Sequence, residues 1–304
     1  TLNRLMMKHG GFEGNAQTLR LITDIFYRHE DKHRGMNPTR AFLDGILKYK
    51  ASFKSFKEPE NHFIYEDQKD WVEFVLNKKK LPSEISNPEK LNNFQSIECQ
   101  IMDWADDTAY AINDVVDSIA GGFINIEKLT KWQKNNNLNE RQSKIISEII
   151  EWIKTDKYKP RFGAQIGLFV NACSLALRKT FIDKLTNRYK YKLIIDDIIL
   201  ERANLYKKIS VDLVFRSPQI HQVEFKGNKM IESIFNVLVE NYIDCKKGIK
   251  LLPDFNDQLI RSEKIRNKKI RLICDYIAGM TDSFAMRNFK RLFDPDYSSI
   301  TDLV

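Results

Sequence analysis

Asp106, Tyr110 and Asp114 follow one another at i, i+4 and i+8, so a helix would set two carboxylates and a phenol in one stripe. They fall in residues 91–127, a window without a single Lys or Arg in a chain of 304 residues that has 49. The same window holds seven acids, Glu98, Asp103, Asp106, Asp107, Asp114, Asp117 and Glu127, and is −7 inside a chain of net charge +8. Carboxylates so arranged can hold a divalent cation, and the cation can hold a polyphosphate against the basic remainder of the chain. The other reading is a solvated acidic face whose N-terminal acids are favoured by the helix dipole. Spacing by itself does not choose between them.

The element that must carry this stripe is an amphipathic helix. Ile97, Ile101, Ala105, Ala109, Ile112, Val116 and Ile119 recur at steps of three and four, which predicts one buried face. Ser96 is the expected N-cap, and Gly121 and Gly122 end the helix. Asp106 is then expected at the edge of the buried stripe, where a carboxylate is costly unless it is paired or bound to a metal.

Helical periodicity also predicts helices at 15–27, 40–49, 67–77, 140–156, 165–187, 229–247 and 271–293. β-branched and aromatic residues cluster at 191–195 and 208–215, which predicts a short β-hairpin. Gly and Pro are sparse, at 12 and 8, which suits long helices. The expected fold is mostly α, with a seam near residues 200–225.

The composition, 42 % hydrophobic, is enough for a sizeable core, and no run approaches the roughly 18 apolar residues of a membrane span. Cys99, Cys173, Cys245 and Cys274 form no CxxC pair or zinc spacing, so a cytoplasmic setting is expected. There is no phosphate-binding glycine loop, no Gly-x-Ser-x-Gly elbow and no Cys/His pair suggesting a thiol nucleophile. His29 and His33 match the H-E-x-x-H pattern, but Arg28, Lys32, Arg34 and Gly35 around them predict a solvated helix end rather than a zinc site. The basic runs Lys78-Lys79-Lys80 and 264–271 read either as solvated faces or as contacts to nucleic acid.

Three strings in this order carry a resemblance: Gly10-Gly-Phe-Glu-Gly-Asn-Ala-Gln-Thr-Leu-Arg-Leu21, Ala41-Phe-Leu-Asp-Gly-Ile-Leu-Lys-Tyr49 and Asp103-Trp-Ala-Asp-Asp-Thr-Ala-Tyr110. With Ile273-Cys-Asp-Tyr-Ile-Ala-Gly-Met-Thr-Asp282 and the stretch around Ser217, Pro218, Glu224 and Gly227, the chain resembles the deoxyguanosine triphosphate triphosphohydrolases of the HD-domain superfamily. The resemblance implies an HD-domain-like helical bundle over 1–200 and a phosphohydrolase-associated C-terminal region over 201–304. It implies hydrolysis of a deoxynucleoside triphosphate to deoxynucleoside and triphosphate, with dGTP the expected substrate and one divalent ion, Mg²⁺ or Mn²⁺, as cofactor.

In such enzymes a His, a His-Asp dipeptide and a later helical Asp hold the metal, and the last of these falls at Asp106. The resemblance puts Tyr110 and Asp114 on the deoxyribose and its 3′ hydroxyl, and Asn15, Lys48 and Tyr49 on the triphosphate. This sequence has no His-Asp dipeptide, and His9, His29, His33, His62 and His221 stand outside the family's contexts. No catalytic residue is therefore visible in the chain, and the remaining ligands are expected upstream of Thr1. A homo-oligomer and a contact with single-stranded nucleic acid are further expectations. The alternative is a noncatalytic nucleotide- or nucleic-acid-binding relative on the same scaffold.

Overall fold

The computed structural model describes residues 1–27, 35–57, 59–85, 87–245 and 247–297. It is mostly α, with one two-stranded antiparallel sheet among the described residues. No described helix is long and apolar enough to cross a membrane. His29 and His33 lie outside the described residues. The chain divides into two compact units: Thr1–Thr39, Tyr49–Asn93 and Val223–Val304 in one, Arg40–Lys48 and Phe94–Gln222 in the other.

The second unit is built around the acidic helix, Ile97–Ala120, which begins and ends where its caps predict. The Cys99 N–H donates to Ser96 Oγ at 3.3 Å, and Gly122 takes φ +74° just past the other end. The Asp197–Ser210 helix packs along it, with Tyr158–Asn171 and Arg40–Ile46 also against it. Ala111, Ile112 and Val115 join Ile146, Ile149, Phe162, Phe169, Ala203 and Tyr206 in one apolar core.

The buried face agrees with the predicted one only in its second half, where Ile112 is buried and Val116 and Ile119 pack partly buried against the core. Cys99, Thr108, Ala111, Ile112, Val115 and Ser118 are buried, whereas Ile101 is 50 % exposed and Ala105 and Ala109 also face outward. Thr108, Ala111 and Ser118 sit on the buried side, and Ile101 is left at the surface. Asp106 accordingly lies on an open side of the helix rather than at the edge of its buried face.

The hairpin pairs Tyr191–Ile195 with Cys173–Leu177, from Cys173 opposite Ile195 to Leu177 opposite Tyr191. The first of these strands was expected; the second replaces the end of the helix predicted over 165–187, which stops at Asn171. Residues 208–215 instead finish the Asp197–Ser210 helix and make the π turn Val211–Phe215. Tyr206, Ser210 and Val214 there are buried at i, i+4 and i+8, so burial overrides the β propensity of Val and Phe.

In the first unit, Met6, Ile234, Phe235, Leu238, Ile270, Ile273, Cys274 and Ile277 form the main core. The predicted 271–293 helix is two, Arg266–Ala278 and Asp282–Phe293. Gly279 ends the first, and Thr281 Oγ1 starts the second by accepting the Phe284 N–H at 3.3 Å. The helix expected over 15–27 is Gly14–Arg20 followed by the π turn Leu21–Ile25. A tight turn feeds it: Gly11 has φ +69°, and a Cβ there would lie 2.5 Å from the Phe53 ring and 2.7 Å from that of Phe63.

Candidate functional site

The acidic helix is anchored at its start by a buried carboxyl group. Tyr189 donates its hydroxyl to Asp44 Oδ1 at 2.7 Å, and Ser96 Oγ donates to the Asp44 carbonyl at 3.3 Å. Burial and the neighbouring Asp44 charge raise the Tyr189 phenol well above its ordinary pKa, so it stays a donor. Arg188 reaches both Asp44 and Glu98. Asp44 lies in the Arg40–Ile46 helix, so these contacts fix where the chain leaves that helix. Two residues further on, Gln95 Nε2 donates to the Lys48 carbonyl at 3.3 Å.

Lys48 is thereby laid along the acidic helix. Its ammonium pairs with Asp103 and stands 3.9 Å from Asp106 Oδ2. Asp107 is taken by Lys207 at 2.9 Å. The Asp106 side chain is 51 % exposed and Tyr110, one turn on, is 62 % exposed. Asp114 follows, half-buried; desolvation and then the charge of Asp117 raise its pKa above the usual carboxylate value. The structure thus sets Lys48 beside Asp106 on the second unit, with Tyr110 and Asp114 one and two turns further along the same helix.

Asn15 and Tyr49 belong to the first unit. Asn15 is half-buried in the first turn of the Gly14–Arg20 helix, and its Nδ2 donates to Glu13 Oε1 at 2.9 Å. That helix is held by a buried polar network. Arg20 Nε lies 2.9 Å from both Asp275 carboxylate oxygens, and Gln17 Nε2 donates to the same group at 2.9 Å. Burial alone would lower the Arg20 pKa, yet Asp275, Asp24 and Asp67 raise it above its ordinary value. Tyr49 stacks on His62, ring centroids 4.6 Å apart. His62 is held at φ +62°, and its carbonyl accepts from Asn92 Nδ2 at 2.7 Å. Asn92 Oδ1 in turn accepts the N–H groups of Lys50 and Ala51 at 2.8 Å.

Among the described residues no three His, Cys, Asp or Glu side chains converge as a metal site requires. Asp106 is an open carboxylate, and the Lys48 ammonium stands beside it.

Residues 193–291 match the family model of the phosphohydrolase-associated domain. Over 99 % of its length the chain is similar to proteins named deoxyguanosinetriphosphate triphosphohydrolase-like. It is 30 % identical to that of Shewanella loihica, covering 74 % of the relative, and 29 % identical to that of Shewanella pealeana, covering 73 %. A relative from Vibrio cholerae, named deoxyguanosinetriphosphate triphosphohydrolase-like protein 1, is 28 % identical over 96 % of this chain and 72 % of its own. The chain belongs to the deoxyguanosine triphosphate triphosphohydrolase-like family. It is thus one of a phosphohydrolase-type group.

Within this triphosphohydrolase-like chain, several neighbours of the expected residues escaped the sequence. Asp103 was only one of seven acids, yet it takes the Lys48 ammonium. Glu13 lies inside the Gly-Gly-Phe-Glu string, and its side chain caps the Gly14–Arg20 helix by accepting the Ala16 N–H. His62 and Asn92 reach Tyr49 and its neighbours only through the fold, and no local spacing marks them.

Proposed function

We propose that this chain carries the nucleotide-recognising residues of a deoxynucleoside triphosphate triphosphohydrolase, with dGTP as substrate. The reaction splits the ester at the α-phosphate with water and releases deoxynucleoside and intact triphosphate. One observation supports this reading above the others: an ammonium, Lys48, and an open stripe of Asp106, Tyr110 and Asp114 share one helix face in a chain of this family.

The residue types suit the parts of the substrate. Lys48 offsets phosphate charge, and Asn15 offers an amide N–H to a phosphate oxygen. Tyr49, its ring backed by His62, offers a hydroxyl to the same chain of phosphates. Tyr110 packs its ring against a deoxyribose, and the Asp114 carboxylate accepts a hydrogen bond from the 3′ hydroxyl. A divalent ion, Mg²⁺ or Mn²⁺, belongs to the same proposal, with Asp106 as its donor from this chain. The described residues do not form that ion's site by themselves, so no step is assigned to it.

A second reading, a noncatalytic nucleotide binder, draws on that donor set and on the ammonium that faces Asp106. Triphosphate release by the unaltered protein separates the two, and Asp106→Ala tests the residue. The triphosphohydrolase reading expects triphosphate release to fall by at least about 100-fold, while dGTP binding falls far less. Unchanged release in this variant would remove Asp106 from the reaction; dGTP binding without release in the unaltered protein would favour the binder.

A further inference from the structure

The Asn15 amide is not free to choose its orientation. Glu13, 8 % exposed, accepts the Ala16 N–H through Oε2 at 2.7 Å and the Asn15 Nδ2 through Oε1 at 2.9 Å. We infer that Glu13 is a positioning residue that sets which end of the Asn15 amide meets a bound nucleotide. An ionised carboxylate only accepts hydrogen bonds, so it must face the NH₂ group and not the carbonyl Oδ1. One N–H is held by Glu13, and the other is left to donate to an anionic ligand.

Glu13 is itself fixed from both sides. Upstream, Arg271 Nη2 donates to the carbonyls of His9 at 3.2 Å and Gly11 at 2.6 Å, and the Phe12 N–H donates to Asn3 Oδ1 at 2.9 Å. Arg271 also lies over the Tyr65 ring, 3.9 Å from its centroid. Downstream, Gln68 Nε2 donates to the Ala16 carbonyl at 2.8 Å, and the Tyr65 hydroxyl to Gln17 Oε1 at 2.9 Å. The carboxylate therefore meets the helix start in one geometry, which its position at the positive end of the helix dipole also favours.

This inference rests on Asn15 contacting the triphosphate. The test is equilibrium binding of dGTP in EDTA by the full chain, with a circular-dichroism melt for each variant. Glu13→Gln keeps one accepting oxygen for the cap but presents an NH₂ to Asn15, so the Asn15 amide must turn over. Glu13→Asp keeps the cap and is too short to hold both partners.

Both variants are expected to remain folded at the binding temperature and to weaken dGTP about 10-fold, as Asn15→Ala does. Glu13→Gln combined with Asn15→Ala should be no weaker than Asn15→Ala alone. Full additivity in the double variant, or wild-type affinity in both Glu13 variants while Asn15→Ala weakens, overturns the inference and leaves the Asn15 contact standing. Wild-type affinity in Asn15→Ala removes that contact and the inference with it.

Discussion

Asp114 stands three residues before Asp117 on the acidic helix, partly withdrawn from water, and both conditions disfavour its charged form. A carboxyl group whose pKa is raised on folding weakens the folded state once it ionises. The penalty is absent below the unfolded pKa, grows as pH rises through that value, and is complete above the folded one. Asp114→Asn should therefore raise the melting temperature at pH 7 by about 1–3 °C and leave it nearly unchanged at pH 3. The same change should weaken deoxynucleotide binding, a pairing expected of a group kept for its ligand. An equal gain at both pH values would show that the charge is not the cause. At Lys48, replacement by Met removes an ammonium that already lies between Asp103 and Asp106. It should raise KM for dGTP about 10–100-fold, measured by steady-state kinetics, if a phosphate also uses that charge. Asp106, Tyr110 and Asp114 could be marked from spacing because a helix converts i, i+4, i+8 directly into adjacency. Asn15, Lys48 and Tyr49 came from family resemblance alone. Glu13, His62 and Asn92 acquire their neighbours only when distant segments meet.

Elements were legible where their ends are chemically marked. Ser96 and the Gly121–Gly122 pair bounded the acidic helix correctly, and Asn139 caps Glu140–Lys154 near its predicted start. The rotation of the acidic helix was legible only in part, because its exposed side carries Ile101, Ala105 and Ala109 and its buried side carries Thr108 and Ser118. Hydrophobicity misreads the first half of the helix, while Ile112, Val116 and Ile119 in the second half turn inward as their pattern predicts. The partner of the Tyr191–Ile195 strand was misplaced for a related reason, since strand pairing is a choice between distant segments. Two substitutions test the anchoring of these elements. Ser96→Ala removes both the cap to Cys99 and a fully buried donor to Asp44, and should lower unfolding free energy by about 1–2 kcal/mol in urea titrations. Arg20→Met leaves Asp275, whose side chain is only 8 % exposed, without its guanidinium and should lower it by about 3–5 kcal/mol. A loss under about 1 kcal/mol would mean that Gln17 alone satisfies Asp275.

At the scale of the molecule, the mostly α class followed from periodicity and from sparse Gly and Pro, and the family from short ordered strings spread along the chain. The reaction is a matter of chemistry that the fold permits without naming. Phosphorus NMR of the full-length protein with dGTP and Mn²⁺ tests it most directly. Inorganic triphosphate appearing in step with deoxyguanosine is the predicted result. Release of orthophosphate or pyrophosphate in its place, or no turnover of any of the four deoxynucleotides with Mg²⁺ or Mn²⁺, would contradict it.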